Sequence, residues 1–410
     1  MKSDATIVRV GLLTGGQDPH YSHGLAIALS QKNVGVDFIG SDELDSPGLR
    51  AAPGVRFLNL RGNQDRKVSR MAKARRVLRY YARLVRYAAT AEPTVLHILW
   101  HNKIEAFDRT VLMLYYRLLG KRLVFTAHNV NAGRRDSKDT LLNRLTLRSQ
   151  YKLSDHIFVH TDKMKAEVLE CFGVRENRVS VIPYGINNAV PNSALTPRQA
   201  KQHFGIAVGD KTILFFGQIA PYKGLDYLVD AFETLTAADP AYRLIVAGKP
   251  KPGADQYWLD VRSRLQPHVD RGRAILDVRY IPDDKAEVYF KAADVLVLPY
   301  REIFQSGILF FGYSFGLPVV ASDVGSLRDD VIDGKTGFLS RPQDPEDLAR
   351  ALAAYFDSDL FANLEIRRAE IREFVASRHS WDTVAELTRD VYARLQLGTT
   401  GSSETGLSHA

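Results

Sequence analysis

The first chemically informative residues are glycines that follow an apolar, strand-like run. Gly15 and Gly16 come directly after the run that ends at Leu13, and a helical pattern begins at about Tyr21. Glycine lets the backbone N–H groups of a strand-to-helix turn approach a phosphate or a sugar. The pair could equally form a tight turn without a ligand, because two glycines do not make up the dinucleotide pattern GxGxxG. The loop is a candidate binding site, with the simple turn as the open alternative.

A second strand-to-helix turn adds a positive charge. The segment FGQIAPYKGL, residues 216–225, places Gly217 and Gln218 at the end of an apolar run and Lys223 at the start of the next helical stretch. A lysine beside helix N–H groups suits a pyrophosphate, because both supply positive charge to it. An ordinary surface lysine would fit the same position.

A third turn is rich in polar groups. The segment LPYREIFQSGI, residues 298–308, connects a strand-like run to a helical stretch that begins near Ile308. Glu302 supplies a carboxylate and Gln305 an amide, while Ser306 and Gly307 supply a hydroxyl and backbone N–H groups. These groups suit the hydroxyls of a sugar.

One histidine lies just past a strand-like run in the first half of the chain. His128 follows residues 122–126 in the segment FTAHNV. A lone histidine is most often a surface residue or a hydrogen-bonded core residue, so both that interpretation and a role at a ligand site are open.

Metal ligands are not evident from the spacing. Asp357 and Asp359 form an Asp-x-Asp pair, but the pair lies between two late helical stretches where helix capping explains it better. His20 and His23 are three residues apart at a helix start, which is weak support for a metal site. We expect no metal.

The segment Arg66–Tyr87 is strongly basic. It holds nine Lys and Arg and no acidic residue. Apolar side chains recur in it at helical spacing and are expected to pack on the sheet; they are Met71, Ala74, Leu78, Tyr81 and Val85. Each basic residue near an anionic leaflet contributes roughly 1 kcal/mol of attraction, so the opposite face predicts docking at an anionic membrane surface.

The net charge of +8 belongs to the first half of the chain. Residues 1–190 hold 30 Lys and Arg against 17 Asp and Glu, whereas residues 191–410 hold 25 against 30. A nucleic-acid-binding protein would explain the basic half, but the chain has no RNP, KH, helix-turn-helix or zinc pattern and its second half is acidic. We expect no nucleic-acid partner.

Composition and length set the class of protein. The 410 residues are 45% hydrophobic and 25% charged, which excludes disorder and small disulfide scaffolds and allows two to three domains. The single cysteine, Cys171, cannot form an internal disulfide. The apolar runs at residues 7–13 and 111–119 are too short for a secretion signal or a membrane span. We expect a cytoplasmic location, peripheral to the inner face of the membrane at most.

Strand-like runs alternate with helical patterns along the whole chain. This order predicts an α/β protein with two doubly wound, Rossmann-like domains whose ligand lies in the cleft between them, at the carboxyl ends of the strands. The predicted strands are Ile7–Leu13, Val34–Ile39, Val55–Leu60, Val95–Leu99, Arg122–Thr126, His156–His160 and Val179–Ile182, then Thr212–Phe216, Arg243–Ala247, Ile275–Tyr280, Val295–Leu298, Val319–Ser322 and Gly337–Leu339. Helices are predicted around Leu225–Leu235, Asp284–Ala292 and Ile308–Phe315.

The domain boundary is expected between Gly185 and Thr196, where Asn, Pro and Ser cluster. Thr196 is the expected N-cap of the next helix, with Pro197 in its first turn. We therefore predict an N-terminal acceptor-side domain at 1–188, a donor-binding domain at 189–378, a C-terminal helix at 379–397 and a disordered tail at 398–410.

The order of these motifs resembles the retaining GT-B glycosyltransferases of family 4, the group 1 glycosyltransferases. The resemblance covers essentially the whole chain and is densest from Ile213 to Leu339. Ser380-Trp381 and the helix to Leu395 are similar to the family's C-terminal helix, which crosses back onto the first domain. The resemblance implies the GT-B fold. It also implies transfer of a hexose-type sugar, with retention, from a UDP or GDP donor to a glycan or lipid-linked acceptor in polysaccharide or glycoconjugate biosynthesis.

The resemblance also implies roles for particular residues. His128 would bond a hydroxyl of the donor sugar, Lys223 would stabilise the leaving diphosphate, and no enzyme nucleophile is required because the leaving phosphate takes the acceptor proton. We assign catalysis to His128, Lys223 and Glu302. Donor binding is assigned to Gly15, Gly16, Gly217, Gln218, Gly248, Ile281, Gln305, Ser306, Gly307 and Ile308. The nucleotide sugar is a substrate, and we expect neither a cofactor nor a metal.

The chain departs from the family pattern in two places. The usual arginine of the phosphate loop aligns with Gln218, and the usual pair of glutamates falls on Ile303 and Phe311. Glu302 lies one position away and is the candidate to take over the sugar contact, with Gln305 as the other.

Two alternatives therefore stay open. One is a sugar-nucleotide binder without catalysis. The other is a different sugar-nucleotide enzyme on the same architecture, such as an epimerase or an inverting transferase, which would need a carboxylate base from Glu302 or Glu105.

Overall fold

The computed structural model describes residues 8–65, 68–131, 133, 139–186, 193–282 and 285–400, with side chains up to residue 397. The chain forms two compact units. Unit 1 comprises Met1–Gly185 and His379–Ala410, and unit 2 comprises Ile186–Arg378. The sequence placed these boundaries after residues 188 and 378, and residues 187–192 of the expected linker lie outside the described residues.

Unit 1 is built on a seven-stranded parallel sheet with the order β3-β2-β1-β4-β5-β6-β7. The order reverses direction at β1, which pairs Val10 with Val36 on one side and with Val95 on the other. All seven predicted strands are present. Their bounds are Arg9–Leu13 (β1), Gly35–Gly40 (β2), Val55–Asn59 (β3), Val95–Ile98 (β4), Arg122–Thr126 (β5), His156–Val159 (β6) and Val179–Val181 (β7).

The helices of unit 1 connect these strands. Their bounds are Pro19–Gln31 (α1), Pro47–Ala51 (α2), Arg70–Thr90 (α3), Glu105–Phe107 (α4), Met113–Leu118 (α5), Leu141–Leu153 (α6) and Asp162–Phe172 (α7). A π-helical turn, Asp108–Leu112, joins α4 to α5, so that residues 105–118 form one continuous helical segment. Short 3-10 turns span Asp42–Leu44 and Glu176–Arg178.

The C-terminal helix of the chain completes the core of unit 1. It runs from Trp381 to Thr400 and is called α17 below. Val384 and Tyr392 of this helix pack in the same buried cluster as Leu25 and Leu29 of α1. The expectation of a helix returning to the first domain is confirmed. Residues 398–400 are helical, so the predicted disordered tail is wrong at its first three positions, and 401–410 lie outside the described residues.

Helix α3 exposes the first part of the face that the sequence predicted to be buried. Ala74 is exposed, whereas Tyr81 and Val85 are half-buried. The helix begins at Arg70, capped by Ser69, and Arg66 and Lys67 lie outside the described residues. Met71 is 77% exposed and Leu78 is 71% exposed. The buried residues are instead Tyr80, Leu84, Tyr87 and Ala88.

The tyrosines explain this rotation of α3. The Tyr80 hydroxyl donates to Asn102 Oδ1 at 2.7 Å, and the Tyr87 hydroxyl donates to Asp37 Oδ2 at 2.9 Å. A tyrosine buries a large apolar ring when its hydroxyl finds such a partner. The two rings therefore take the inner positions, and the prediction that Met71 and Leu78 pack on the sheet is wrong.

Unit 2 has a six-stranded parallel sheet with the order β10-β9-β8-β11-β12-β13. The six predicted strands are present, as Lys211–Phe216 (β8), Tyr242–Ala247 (β9), Ala274–Asp277 (β10), Val295–Leu298 (β11), Val319–Ser322 (β12) and Gly337–Ser340 (β13). Both sheets are thus of the doubly wound, all-parallel type, and the predicted fold class is confirmed.

The helices of unit 2 cover this sheet. They are Pro197–His203 (α8), Leu225–Ala238 (α9), Asp255–Asp270 (α10), Glu287–Ala292 (α11), Gly307–Ser314 (α12), Leu327–Asp330 (α13), Pro345–Phe356 (α14), Asp359–Ala362 (α15) and Leu364–Arg378 (α16). A 3-10 turn spans Pro221–Lys223. Thr196 caps α8 through a reciprocal capping box with Gln199, with Pro197 in the first turn as expected.

The Asp-x-Asp pair of the sequence lies in a helix junction. Asp359 Oδ1 accepts from Asn363, and Asp359 also pairs with Arg367. Asp357 ends α14 through its backbone N–H, and the N-cap of α15 is Ser358, without a side-chain bond. The predicted capping by aspartate side chains is therefore wrong at α15. No three His, Cys, Asp or Glu side chains within the described ranges are grouped so as to hold a metal ion.

No helix in the described part of the chain combines the length and the apolar character that crossing a membrane requires.

Candidate active site

Gly15 and Gly16 form a tight turn at the carboxyl end of β1. Both have positive φ, 60° and 71°. A Cβ on Gly15 would lie 2.7 Å from Trp100 O, and a Cβ on Gly16 would lie 2.9 Å from Arg61 Cζ. Packing against the chain itself therefore requires both glycines. This tight packing is what the alternative of a turn without a ligand predicts. A role of the turn in ligand binding stays a prediction.

His128 belongs to a chain of hydrogen bonds that fixes its tautomer. His160 Nδ1 lies 3.2 Å from Ile182 O, and a carbonyl only accepts, so this nitrogen donates. The other nitrogen of the neutral ring, His160 Nε2, must then accept from His128 Nδ1, 3.0 Å away. His128 Nε2 is left as an acceptor. It is buried and has no hydrogen-bond partner among the described residues.

Aromatic rings hold His128 in this orientation. Its ring stacks on Trp100 with centroids 4.1 Å apart and 5° between the planes, and Tyr21 meets it edge-on at 4.7 Å. Burial lowers the pKa of His128 well below its usual value, and the charges of His160 and His97 act in the same direction. Burial also lowers the pKa of His160, to about 4. Both rings are therefore neutral near pH 7.

The cavity beside His128 contains further unpaired polar atoms. It has a volume of about 340 Å³ and is lined by His128, Asn129, Arg109 and Glu105 among others. Asn129 Oδ1 and Arg109 Nε are buried without a partner in the described chain. Arg109 also pairs with Glu105 at 2.5 Å. Two acceptors and a charged donor around one cavity suit a ligand with several hydroxyl groups.

One ring nitrogen of His23 is already used within the protein. His23 Nε2 lies 2.8 Å from Leu44 O, so it donates to a carbonyl oxygen and holds no lone pair there for a metal.

In unit 2, the predicted glycines form the carboxyl edge of the sheet. Gly217 follows β8 with φ of 104°, and Gly248 follows β9 with φ of 145°. A Cβ on Gly248 would lie 1.8 Å from Gly217 O, so only glycine fits between these adjacent strand ends. Glycines without side chains at a strand end are of the kind that lets a ligand phosphate approach main-chain N–H groups.

Lys223 is brought to this edge by a strained turn. It ends the 3-10 turn Pro221–Lys223, and Gly224 follows with φ of 65°. A Cβ on Gly224 would lie 1.9 Å from Pro299 O, so this glycine lets the turn pack directly on the chain that leaves β11. Lys223 Nζ lies 5.4 Å from the centre of the Tyr300 ring, and its side chain is buried.

Two predicted donor-binding residues, Gly217 and Ile308, meet the predicted catalytic residue Lys223 at one point. A Cβ on Gly217 would lie 3.3 Å from Lys223 Nζ and 3.4 Å from Ile308 Cδ1. Ile308 is in the first turn of α12, which begins at Gly307. The ammonium group, a glycine backbone and the start of a helix are thus adjacent, which is an arrangement that binds a phosphate.

The polar loop before α12 is partly buried. Ser306 lies 3.3 Å from the Tyr300 hydroxyl, and Gln305 Nε2 donates to Asp330 Oδ2 at 3.2 Å. Gln305 Oε1 is buried without a partner among the described residues. Burial raises the pKa of Asp330 to about 6. The NH₂ group of the Gln305 amide is therefore fixed by Asp330, and its oxygen can accept a hydrogen bond from a ligand.

Glu302 and Gln218 are both exposed. Glu302 makes no hydrogen bond or ion pair within the described chain. Gln218 lies two residues beyond the end of β8. Ile303 is 8% exposed and Phe311 is 6% exposed, and Phe311 packs on the rings of Phe216 and Phe290. An aromatic cluster occupies the place of the second carboxylate of the family pattern.

Ile281 lies four residues beyond the end of β10 and is buried. It is at the same edge of the sheet as Gly248, because β10 pairs with β9 in parallel. Residues 283 and 284 of the following loop lie outside the described ranges.

Sequence reasoning missed several residues of these sites. His160, Trp100 and Arg109 surround His128, yet they come from other strands and loops. Arg301 was also missed. It pairs with Asp226 at 2.5 Å, and its N–H donates to Tyr222 O at 2.8 Å, beside the turn that carries Lys223. The only sequence signal for His160 was its place at the end of a predicted strand.

Solved structures resemble this chain over nearly its whole length. Sucrose-phosphate synthase from Thermosynechococcus elongatus aligns with 95% of this protein and over 100% of its own chain, with a TM-score of 0.71 and 19% identity. The Anabaena HepE protein in complex with UDP-glucose covers 94% of this chain and 99% of its own, with a TM-score of 0.69 and 16% identity. These similarities show the fold.

A curated relative aligns with part of the chain. D-inositol 3-phosphate glycosyltransferase from Corynebacterium urealyticum is 28% identical over 246 residues, which is 59% of this chain and 57% of the relative. The chain spans between 53% and 65% of the length of the first five curated relatives that it matches.

Two family descriptions match successive parts of the sequence. Residues 20–190 match Glycosyltransferase Family 4, and residues 210–358 match Glycosyl transferases group 1. The two matches lie in units 1 and 2, each over one of the parallel sheets. With these matches and this fold, the chain belongs to the family 4, or group 1, glycosyltransferases of the GT-B type.

Proposed function

We propose that this protein transfers a hexose-type sugar, with retention of configuration, from a nucleotide-diphosphate sugar to a glycan or lipid-linked acceptor. The observation that carries the proposal is the junction of Lys223, Gly217 and Ile308 at the carboxyl edge of the second sheet. A buried ammonium beside glycine backbone and a helix start suits a diphosphate. A biosynthetic role in polysaccharides or glycoconjugates follows from that reaction.

The donor is a UDP or GDP sugar, and UDP is the first to test. HepE, which shares the fold, has been solved with UDP-glucose. The relative named D-inositol 3-phosphate glycosyltransferase supports an acceptor rich in hydroxyl groups. Such an acceptor also suits the polar cavity beside His128, where Asn129 Oδ1 and Arg109 Nε are buried without a partner among the described residues.

The residues of the chain act mainly by position and charge. In the transfer, the bond between the sugar carbon and the diphosphate oxygen breaks, the acceptor oxygen bonds to that carbon on the same face, and its proton passes to the leaving phosphate. Lys223 and the backbone N–H groups near it stabilise the departing charge. His128 accepts a hydrogen bond from a hydroxyl of the donor sugar. The reaction needs neither a metal nor a cofactor.

The basic helix α3 supports an anionic membrane surface as partner, through Arg66–Tyr87. A cavity of about 550 Å³ on this helix is lined by Arg61, Arg75, Arg76, Arg79 and Arg83. Within the described chain none of these guanidinium groups pairs with a carboxylate. Arg61 contacts Asn102 and the Tyr80 ring, and Arg76 and Arg83 donate to carbonyl oxygens. Unneutralised arginines attract anionic headgroups.

Lys223→Ala tests the donor site. We expect a panel of nucleotide diphosphates and their sugars to raise the Tm of the wild-type protein with one nucleotide only. A ligand at 100 times its Kd stabilises by about 2.7 kcal/mol, and the variant should lose most of that shift and of the sugar transfer. Lys163→Ala is the matched control, because Lys163 is exposed on α7 and unpaired. Equal donor shifts in K223A and wild type would remove Lys223 from the site.

A second candidate function is donor binding without transfer. It is favoured by the apolar residues Ile303 and Phe311 at the two positions where the family usually has glutamates. Under this alternative the donor shifts Tm as above, yet no nucleotide diphosphate is released with any acceptor or with water. Steady release of the diphosphate would exclude it.

A further inference from the structure

Large apolar side chains are exposed on three helical segments of unit 1. They lie in α3, in residues 104–118 and in α6. Their exposed fractions are Met71 77%, Leu78 71%, Ile104 49%, Phe107 36%, Val111 56%, Leu114 50%, Leu118 78%, Leu141 72%, Leu142 63% and Leu145 56%. Exposed apolar side chains are normal when they occur singly, but a group on adjacent elements marks an interaction site.

Residues 104–118 form a helical segment that has an apolar stripe on its outward side. Its exposed apolar residues are spaced by three and four positions, which places them on one side of a helix; they are Ile104, Phe107, Val111, Leu114 and Leu118. The opposite side is buried through Leu112, Met113 and Tyr116. The segment is thus apolar on both sides, and its inner side alone is covered by the protein.

The three segments are neighbours. The Tyr81 ring of α3 lies 5.5 Å from the Phe107 ring, and the Tyr81 hydroxyl donates to Asp108 at 2.8 Å. On the other side, Arg109 donates to Asn143 of α6 at 3.0 Å. Right-handed crossovers from β3 to β4 and onward to β6 also place these helices on the same face of the sheet. Their outward sides therefore form one continuous surface, which we call the outer face of unit 1.

The charged residues of the outer face are mostly basic. Helix α3 has seven Lys and Arg and α6 has three, and neither has an acidic residue. On α6, the exposed side chains of Arg148 and Lys152 continue the line of Leu141 and Leu145 at helical spacing. The two acids of residues 105–118 are neutralised within the protein, since Glu105 pairs with Arg109 and Asp108 is buried.

This combination identifies the partner. An apolar stripe flanked by arginine and lysine fits the boundary between the headgroups and acyl chains of an anionic bilayer. A second copy of this chain would place one basic helix against another, and like charges repel across such an interface.

We propose that the outer face of unit 1 inserts into anionic membranes, with the apolar side chains of residues 104–118 and 141–145 entering the acyl region and the basic residues binding lipid phosphates. The proposal rests on the proposed function for its membrane partner. Under this proposal three helical segments contact the membrane, and not α3 alone. Part of the vesicle binding should persist at high salt, because salt screens the attraction between charges but not the burial of apolar side chains.

The test uses the full-length protein and vesicles of phosphatidylcholine with and without phosphatidylglycerol. We expect Leu114→Ser combined with Leu118→Ser to weaken co-sedimentation with anionic vesicles at least tenfold, since burial of one leucine is worth about tenfold or more in partitioning. The matched control combines Leu259→Ser with Ile366→Ser, two residues of unit 2 that are 53% and 65% exposed. The control should bind as the wild type does.

A second measurement locates the contact and guards against unfolding. Val111→Trp should be quenched by brominated acyl chains, whereas Val208→Trp, at a position 63% exposed in unit 2, should not be. Equal quenching at both positions, or full binding by the serine pair, would overturn the proposal. So would concentration-dependent dimers that the serine pair abolishes, because they would show that a second copy covers the face.

The vesicle assays contain no sugar nucleotide, and so they are independent of catalysis. The serine pair should keep the donor-induced Tm shift of the wild type. A wild-type protein that shows the donor-induced Tm shift but does not insert into anionic vesicles would refute this inference alone. A wild-type protein without the donor shift would refute the transferase proposal.

Discussion

Buried neutral histidines distinguish unit 1 at the residue scale. Burial lowers the pKa of His97 to about 3 and that of His101 to about 3. Both ring nitrogens of His97 are hydrogen-bonded. Nδ1 lies 2.5 Å from the Tyr392 hydroxyl, and Nε2 lies 2.7 Å from the Thr126 hydroxyl. His101 Nε2 lies 2.8 Å from Gln150 Oε1. These rings tie separate elements together as uncharged groups.

Their low pKa values predict that unit 1 loses stability in mild acid. Below the ordinary histidine pKa of about 6.5 the unfolded chain takes up protons that the folded chain does not, so the free energy of unfolding falls as pH falls. Each such histidine contributes about 1.4 kcal/mol per pH unit in this range. Urea unfolding followed by tryptophan fluorescence at about pH 7, 6 and 5 should show a steadily lower midpoint.

His101→Gln should reduce that dependence on pH by about one proton, and it keeps a group able to hydrogen-bond to Gln150. His203→Gln, at an exposed position on α8, is the control and should not change it. An unfolding midpoint that stays constant between about pH 7 and 5 would contradict the expectation, because it would mean that the unfolded chain binds no more protons than the folded chain.

The residues of the candidate site differ in how far the sequence indicated them. Gly217, Lys223 and Ile308 were indicated because strand-to-helix turns have recognisable residues, and the structure brings them together. His160 was not indicated. Its contact with His128 depends on the pairing of Thr126 with Phe158 between β5 and β6, and such a pairing is set by the register of the sheet, which a single strand does not display.

At the element scale, periodicity located the strands well and one helix face poorly. The strands are short apolar runs bounded by turn residues, so their positions were confirmed in both sheets. Helix α3 has two apolar stripes, and the sequence alone favoured the one that contains Met71 and Leu78 over the one that contains Tyr80 and Tyr87. Hydroxyl partners on other elements, Asn102 and Asp37, decided which stripe is buried.

The arginines of α3 predict a salt-sensitive component of membrane binding. Arg75→Glu combined with Arg79→Glu should lower vesicle binding at low salt by about tenfold or more, because each charge contributes roughly 1 kcal/mol near an anionic surface. Arg262→Glu combined with Arg271→Glu, on exposed positions at α10, is the matched control. Binding of the α3 variant that equals that of the control at every salt concentration would show that α3 does not contact lipid.

Helix α17 predicts a large effect of one side chain on unit 1. The Trp381 ring lies 5.2 Å from the Tyr21 ring, and a Cβ on Gly24 or Gly185 would lie 2.3 Å or 2.4 Å from it. Trp381→Ala should therefore leave a cavity and lower the free energy of unfolding by about 3 kcal/mol. Leu387→Ala, at a position 41% exposed on the same helix, should change it by less than about 0.5 kcal/mol. Chemical denaturation of both variants measures the difference.

At the scale of the whole molecule, the two units differ in how the chain builds them. Unit 2 is one continuous segment, Ile186–Arg378, whereas unit 1 joins the first 185 residues to the last helix. The charge difference between the two halves follows the same division, because the basic helices α3 and α6 both belong to unit 1. The sequence indicated both features, through the clustered linker residues and the return of Trp381.

This division predicts how fragments behave. Residues 186–378, expressed alone, should fold and unfold cooperatively, since the segment contains a complete sheet with its helices. Residues 1–185 alone should not, because the apolar surface of α1 that packs on Val384 and Tyr392 would be open to water. Circular dichroism and urea unfolding of both fragments check the expectation. A cooperative transition for 1–185 would show that α17 is dispensable for the core.

The late position of α17 has a consequence for synthesis on the ribosome. The first 185 residues emerge long before residue 381, and at 5–20 residues per second the delay is about 10 to 40 s. During that time the residues of unit 2 emerge, while the apolar surface of α1 that α17 will cover stays open on unit 1. A nascent chain from which residues 1–378 have emerged would thus hold a complete second half behind an unfinished first half, and it would offer that surface to chaperones.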